Sequence, residues 1–311
     1  MVNVYLLLLG GLLLLFISGK FLVDSSVVIS KRLRIPRMII GLTVVAFGTS
    51  APELLVSIQA ALAGYSEIAI GNVVGSNISN ILLVLAITAL IFPIPVPASS
   101  VRQDWPIMMF VSILLFVFTL NGWLSRTEGI IFLGLLIAYI AFAVVKARGA
   151  KPTVDMEETK STMKWWVAGV IFLVSCLGLA FGADLLVTNV AIIAEEFGIS
   201  QRVISVTMVA VGTSIPEVAT SVIAALKKET DISVGNIIGS NIMNILSVLG
   251  ITSLISPIKV DAAISRFDIP WMLGISFLLL LLMLPASRSR ITRWEGSFMI
   301  MIYLLYIYFL F

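Results

Sequence analysis

Apolar runs broken by short polar clusters recur along the whole chain, as at Tyr5–Ile17, Ile107–Phe118 and Phe277–Leu284. With their flanks these runs reach the about 20 mostly apolar residues that a helix needs to cross a bilayer. Turn residues, prolines and charge clusters divide the chain into ten candidate helices, near 3–30, 38–63, 67–92, 105–122, 126–146, 165–194, 202–226, 231–256, 268–285 and 295–311. One sizeable polar stretch, Lys146–Lys164, carries Gly149, Pro152, Asp155, Glu157, Glu158 and Lys160, and reads as a linker rather than a folded domain. The expected organisation is a first five-helix unit over 1–146, a linker over 147–164 and a second five-helix unit over 165–311.

The two units are copies. At an offset of 164, Gly41–Leu62 falls on Ser205–Leu226 and Ile68–Leu85 on Ile232–Leu249, with 29 of the 53 positions from Gly41 to Pro93 identical and no gap. Shared hydrophobicity alone does not produce such a match. The register continues weakly outward: Arg102, Asp104 and Pro106 meet Arg266, Asp268 and Pro270, and Arg126, Glu128 and Gly129 recur after a small shift as Arg293, Glu295 and Gly296. An odd number of spans per copy forces the second copy to enter the membrane from the other side, which predicts an all-α membrane protein of ten transmembrane helices in two inverted five-helix repeats.

Charge distribution orients this fold. Loops after odd-numbered helices hold fifteen Lys and Arg residues, and the opposite loops hold four: Arg126, Arg202, Lys259 and Arg266. Basic loops stay in the cytoplasm, so the expectation is a cytoplasmic linker with both chain ends outside, in a plasma (inner) membrane. Pro93–Val101 and its counterpart Pro257–Asp261 then fall on opposite faces.

Composition narrows the function. The chain is 59% hydrophobic and only 12% charged, with mean hydropathy +1.11, against about 25% charged residues in a soluble domain. A soluble enzyme, a disordered chain and a disulfide scaffold are excluded. There is no histidine, hence no imidazole metal site. The lone Cys176 sits in an apolar run and reads as a small core residue. No basic tract suggests nucleic acid, no nucleotide-binding motif suggests primary active transport, and neither an organic cofactor nor an obligate protein partner is implied; the expected partners are membrane lipid and transported cations.

Each copy carries G-T-S-x-P-E inside an apolar run, at Gly48–Glu53 and Gly212–Glu217. Proline removes an amide donor and blocks the carbonyl one turn earlier, so carbonyls near Ala46 and Ala210 are expected to lose their intrahelical partners. With the hydroxyls of Thr49, Ser50, Thr213 and Ser214 and the carboxylates of Glu53 and Glu217, they would form an oxygen cage for a hard cation. The second motif, G-N-x-x-G-S-N-I-x-N-I, runs over Gly71–Ile81 and Gly235–Ile245. Its glycines, four apart, allow close helix approach. Ser76 and Asn80 share a face, as do Ser240 and Asn244, while Asn72, Asn77, Asn236 and Asn241 offer amides to a partner helix or to broken backbone. A proline in a membrane helix is usually only a kink, and hydroxyls often bond their own helix. Two glutamates at matched membrane depth are different, because an unpaired carboxylate there costs at least about 2.5 kcal/mol. Lys20, Asp184 and Asp24 read as snorkelling or mutually paired charges, and Glu67, Asp231, Asp104 and Asp268 as helix starts.

On these two duplicated motifs the chain resembles the calcium/cation antiporter superfamily, closest to its Na+/Ca2+ exchanger branch, over essentially its whole length. The resemblance implies a four-helix core holding the ions and long first and sixth helices that slide against it. Carried over by position, it implies that Glu53 and Glu217 bind Ca2+ and share in Na+ binding. Thr49, Ser50, Ser76, Thr213, Ser214 and Ser240 would add side-chain or backbone oxygens, with the carbonyls of Ala46 and Ala210. Asn80 and Asn244 depart from branches that place aspartate at the counterpart of Asn244. Two carboxylates balance one Ca2+, whereas three Na+ would leave a net positive charge at low dielectric. Coupling to Na+, H+ or K+ therefore stays open, with an uncoupled channel as the weaker alternative.

Overall fold

The computed structural model describes residues 2–33, 35–149, 164–197, 212–284 and 290–310. Helices stand at each of the expected positions: α1 (Val2–Leu33), α2 (Arg37–Thr49), α3 (Ala51–Leu62), α4 (Ser66–Ile91), α5 (Ser100–Thr119), α6 (Arg126–Gly149), α7 (Trp165–Glu196), α8 (Ile215–Leu226), α9 (Thr230–Ile255), α10 (Ile264–Met283) and α11 (Arg293–Leu310). Among the described residues seven are long and apolar enough to cross a membrane alone, and the bent pair α2–α3 makes an eighth span. The half-helix that would precede α8, with Arg202 and Ala210, lies outside the described residues, as does most of the linker. The chain is an all-α polytopic membrane protein.

Burial sorts these helices. In α4 and α9, 72% and 89% of the apolar window is buried, against 22–33% in α1, α5, α6, α7 and α10. The two glycine- and asparagine-rich helices therefore form the centre, and the others turn Leu13, Phe16, Ile137, Trp165 and Phe181 outward. That is the inside-out economy of a chain solvated by lipid, whose backbone polar groups must all bond internally.

Glycines record the helix directions. A Cβ on Gly11 would stand 3.0 Å from the Gly182 carbonyl oxygen, and one on Gly178 would stand 2.2 Å from Ser18 Oγ. Residues rising from 11 to 18 on α1 thus meet residues falling from 182 to 178 on α7. The opening helix of each copy runs against its counterpart, as an odd number of spans per copy requires. By the same reading α2 is parallel to α9: a Cβ on Gly235 would lie 2.7 Å from the Met38 carbonyl oxygen and one on Gly239 2.5 Å from that of Leu42. The expected close approach holds at Gly235 and Gly239, whereas Gly71 has open space where a Cβ would stand.

The copies interlock. Gly129 on α6 abuts the Gly250 carbonyl of α9, while Gly296 on α11 abuts the Ala86 carbonyl of α4, each at 2.9 Å from the Cβ it lacks. Two short antiparallel ribbons repeat the exchange: β1 (Ile94–Pro95) pairs with β4 (Arg290–Ile291), and β2 (Trp123–Leu124) with β3 (Ile258–Lys259). Loops after odd-numbered spans meet only one another in the first ribbon, and loops after even-numbered spans in the second. The ion pairs Arg37–Glu229 and Lys227–Asp24 obey the same rule.

Three expectations are corrected. Mutual pairing gives way to a different partner: Asp24 pairs with Lys227, while Lys20 and Asp184 are exposed, which fits the snorkelling alternative. Glu67 and Asp231 do occupy first turns, but Asp104 and Asp268 end the π-helical turns Ser100–Asp104 and Ile264–Asp268, inside their helices, and Asp268 accepts the Tyr306 hydroxyl at 2.9 Å. The third concerns Ala46. Its carbonyl keeps the Ser50 amide at 3.0 Å, with Thr49 Oγ1 3.3 Å away. Pro52 instead withholds a donor from Gly48, four residues back.

Candidate cation-binding site

The site grows from the breaks between half-helices. At Ser50 the backbone leaves the helix (φ −83°, ψ 8°), and α2 and α3 bend by 43°. Pro52 fits the first turn of α3, where an amide would have no partner anyway. Glu53 follows in that turn, at the positive end of the helix dipole. The second copy repeats the construction with Ser214, Pro216 and Glu217 at the start of α8. Both glutamates are 0% exposed, and Ser50, three residues before Glu53, reaches Glu217 across the two copies.

Neutral oxygens surround them. Thr49 Oγ1 donates to Asn236 Oδ1 at 3.1 Å and lies 3.4 Å from Ser240 Oγ. In the other copy Thr213 Oγ1 donates to Asn72 Oδ1 at 3.3 Å and lies 3.1 Å from Ser76 Oγ. Glu217 Oε1 accepts from Ser50 and Ser240, each at 3.4 Å. Glu53 has the hydroxyls of Thr213 and Ser76 as polar neighbours, yet neither of its oxygens accepts a hydrogen bond of ordinary geometry. Among the described residues no group of three or more His, Cys, Asp or Glu occurs. The donor set is therefore two carboxylates and a ring of hydroxyls, which suits a hard cation whose charge the carboxylates balance.

The structure brings together Thr49, Ser50, Glu53, Ser76, Thr213, Glu217 and Ser240. Ser214 is fully buried at its break, with no hydrogen-bond partner for Oγ. Asn80 and Asn244 make no hydrogen bond to this hydroxyl cluster. Each begins a π-helical turn, Asn80–Leu85 and Asn244–Leu249. Asn244 Nδ2 donates to Asn77 Oδ1 at 3.1 Å, while the Asn80 amide is buried without a hydrogen bond. Asn77 in turn donates to the Asn241 carbonyl at 3.3 Å, and like Asn72 and Asn236 it thereby reaches a partner helix, as expected of these amides. Ala210 lies outside the described residues. Cys176 packs on Gly48, 2.6 Å from where a Cβ would stand, and serves as packing.

Sequence reasoning offered Asn72 and Asn236 only as amides for a partner helix or broken backbone, and gave Ser57 and Ser221 no role. Asn72 Nδ2 donates to the Glu53 carbonyl at 3.2 Å and to Ser57 Oγ at 3.1 Å, and Asn236 Nδ2 to Ser221 Oγ at 3.1 Å. A signal was present: both pairs recur at the repeat offset, and each serine stands four residues after a glutamate, on its face of the helix.

Known proteins resemble the chain over its whole length. The sodium/calcium exchanger protein family profile matches residues 3–145 and 167–311. The putative antiporter CaxA of Alkalimonas amylolytica is 40% identical over 98% of this chain and 97% of its own. The sodium/calcium exchanger MaX1 of Methanosarcina acetivorans is 34% identical over 99% and 98%. The Ca2+/H+ antiporter ChaA of Bacillus subtilis is 27% identical over 85% and 81%. A solved structure of the sodium-calcium exchanger NCX_Mj superposes with a TM-score of 0.83 at 32% identity, covering 99% of this chain and 98% of that one. An all-helical membrane fold, a doubled G-T-S-x-P-E break and end-to-end similarity converge: the chain belongs to the sodium/calcium exchanger family of membrane cation antiporters.

Proposed function

We propose that the protein exchanges Ca2+ for Na+ by alternating access around one central site built on Glu53 and Glu217. The observation that carries this reading is the pair of fully buried glutamates, one from each copy, set at half-helix starts among hydroxyl oxygens. Burying two carboxylates near each other is costly unless a cation joins them. One Ca2+ neutralises both, so a loaded core crosses the membrane more readily than an empty, doubly charged one. Na+ competes for the same oxygens and thereby links the two fluxes. Thr49, Ser50, Ser76, Thr213, Ser214 and Ser240 complete the coordination, and Asn80 and Asn244, four residues after Ser76 and Ser240 on the same helix face, offer amide oxygens without adding charge. The first and second five-helix units enter from opposite faces, with the linker in the cytoplasm and both ends outside, as the fifteen-to-four distribution of basic residues favours.

Proton coupling is the second reading, favoured by the similarity to a Ca2+/H+ antiporter and by the presence of only two carboxylates, either of which can take up a proton as Ca2+ leaves. Radiolabelled Ca2+ flux in proteoliposomes under Na+, K+ or H+ gradients imposed singly decides between them. Uptake driven by an outward Na+ gradient alone is expected. Uptake driven only by a pH gradient would transfer the proposal to the second reading, and Ca2+ conductance without any counter-gradient would reject antiport.

A further inference from the structure

We infer that Asn72 and Asn236 act as positioning residues that hold the hydroxyl protons of Thr213 and Thr49 away from the glutamates, so that those hydroxyls present lone pairs to a cation. The inference rests on the cation-binding reading above and extends it to residues outside the coordinating set. Asn72 fixes the direction of its own amide. Its nitrogen must face the Glu53 carbonyl at 3.2 Å, because a carbonyl can only accept. Oδ1 then points at Thr213 Oγ1, 3.3 Å away, and can only accept from it. Ser57 Oγ takes the second amide hydrogen at 3.1 Å and passes its own proton to the Ala69 carbonyl at 3.2 Å. Every proton in this chain points outward from the site. Since Thr213 has committed its proton, Ser76, at 3.1 Å, must be the donor between the two hydroxyls. Ser76 then has none left for Glu53.

A second observation agrees. Glu53 has two hydroxyl neighbours but accepts no hydrogen bond of ordinary geometry, which is what committed protons produce. The threonine-to-asparagine-to-serine direction recurs in the second copy, with Thr49 donating to Asn236 at 3.1 Å and Asn236 to Ser221 at 3.1 Å, whereas Ser240, unlike Ser76, gives its proton to Glu217 at 3.4 Å. A hydroxyl free to rotate would instead donate to the carboxylate and compete with a cation for it.

The test is a double-mutant cycle on the full-length protein in detergent, read as the Ca2+ dissociation constant by titration calorimetry. Asn236→Ala should weaken Ca2+ binding about ten-fold, the order of one lost buried hydrogen bond. Thr49→Ala should weaken it similarly, and the double variant no further than Thr49→Ala alone, because the asparagine acts through that hydroxyl. Additive losses, or Ca2+ affinity unchanged in Asn236→Ala, would overturn the inference. Asn72→Ala with Thr213→Ala is the equivalent cycle in the other copy and decides the matter where an Asn236 variant does not fold. Wild-type protein that binds no Ca2+, or whose affinity survives Glu53→Gln, would reject the underlying site instead.

Discussion

Ser50 Oγ, at the break of the first copy, donates to Glu217 Oε1 of the second at 3.4 Å, whereas the hydroxyl of its repeat counterpart Ser214, also buried, makes no hydrogen bond. The copies match in sequence here but not in bonding. In an inverted repeat, the two facing states are related by exchanging the roles of the copies. Ser214 should therefore take up Glu53 when Ser50 releases Glu217. Ser50→Ala should raise the KM for Ca2+ about three- to ten-fold mainly on one face of the membrane, and Ser214→Ala mainly on the other. Flux in vesicles of defined orientation checks this; equal effects on both faces for each variant would exclude the exchange.

Neutralising either glutamate should abolish exchange without unfolding the protein. Truncating one partner of a buried charge contact costs about 2–5 kcal/mol, so Ca2+ affinity in Glu53→Gln and Glu217→Gln should fall at least about thirty-fold. Ca2+ should raise the Tm of the wild type, as any ligand of the folded state does, and that increase should vanish in both variants. Retained Ca2+ uptake in either one would remove that carboxylate from the site.

Asn244→Asp tests the neutral end of the core. Asn244 Nδ2 donates to Asn77 Oδ1 at 3.1 Å, and an ionised aspartate would set oxygen against oxygen there. The variant should lose about 1–3 kcal/mol of stability in cation-free buffer. Millimolar Na+, or acidification that restores a donor proton, should return it. Thermal unfolding across Na+ concentration and pH measures both, and a variant insensitive to either would show that the amide bond contributes little.

Close packing makes Gly239 intolerant of substitution. Its missing Cβ would stand 2.5 Å from the Leu42 carbonyl oxygen and 2.7 Å from Leu42 Cα, both backbone atoms that cannot swing aside. Gly239→Ala should cost about 1–3 kcal/mol through overpacking, seen as a lower Tm in detergent. The same substitution at Gly10, which has open space around it, is the control.

A helix cap recurs in both copies. Glu295 Oε2 accepts the Thr292 amide at 2.6 Å while Thr292 Oγ1 accepts the Glu295 amide at 3.4 Å, closing a capping box. Glu128 accepts the Ser125 amide at the equivalent place. Glu295→Ala should destabilise by about 1 kcal/mol and leave Ca2+ affinity unchanged, which separates fold from site in one denaturation and binding series.

What sequence revealed and what it hid divide along physical lines. Glu53 and Glu217 were legible because charge inside an apolar run is expensive, and doubling makes coincidence untenable. The direction of the Asn72 amide was not, since it depends on a carbonyl from α3 that only packing brings within 3.2 Å. The fate of the Ala46 carbonyl was misjudged because proline removes one specific donor, four residues from its acceptor, and the helix before the break survives to Thr49. The ribbons at Ile94–Pro95 and Trp123–Leu124 are too short to show any alternation, so nothing in the chain announced them.

Those ribbons and the exchanged contacts of α6 and α11 carry a historical consequence. Gly129 rests on Gly250, Gly296 on Ala86, and each ribbon takes one strand from each copy, so a single copy leaves its own third helix uncovered. An ancestor that possessed only one copy would have been complete only as a pair of identical chains inserted upside down to each other. Joined in one chain, the two copies are free to differ in sequence, and Lys20 against Asp184 at matched positions is a difference that identical chains could not have carried.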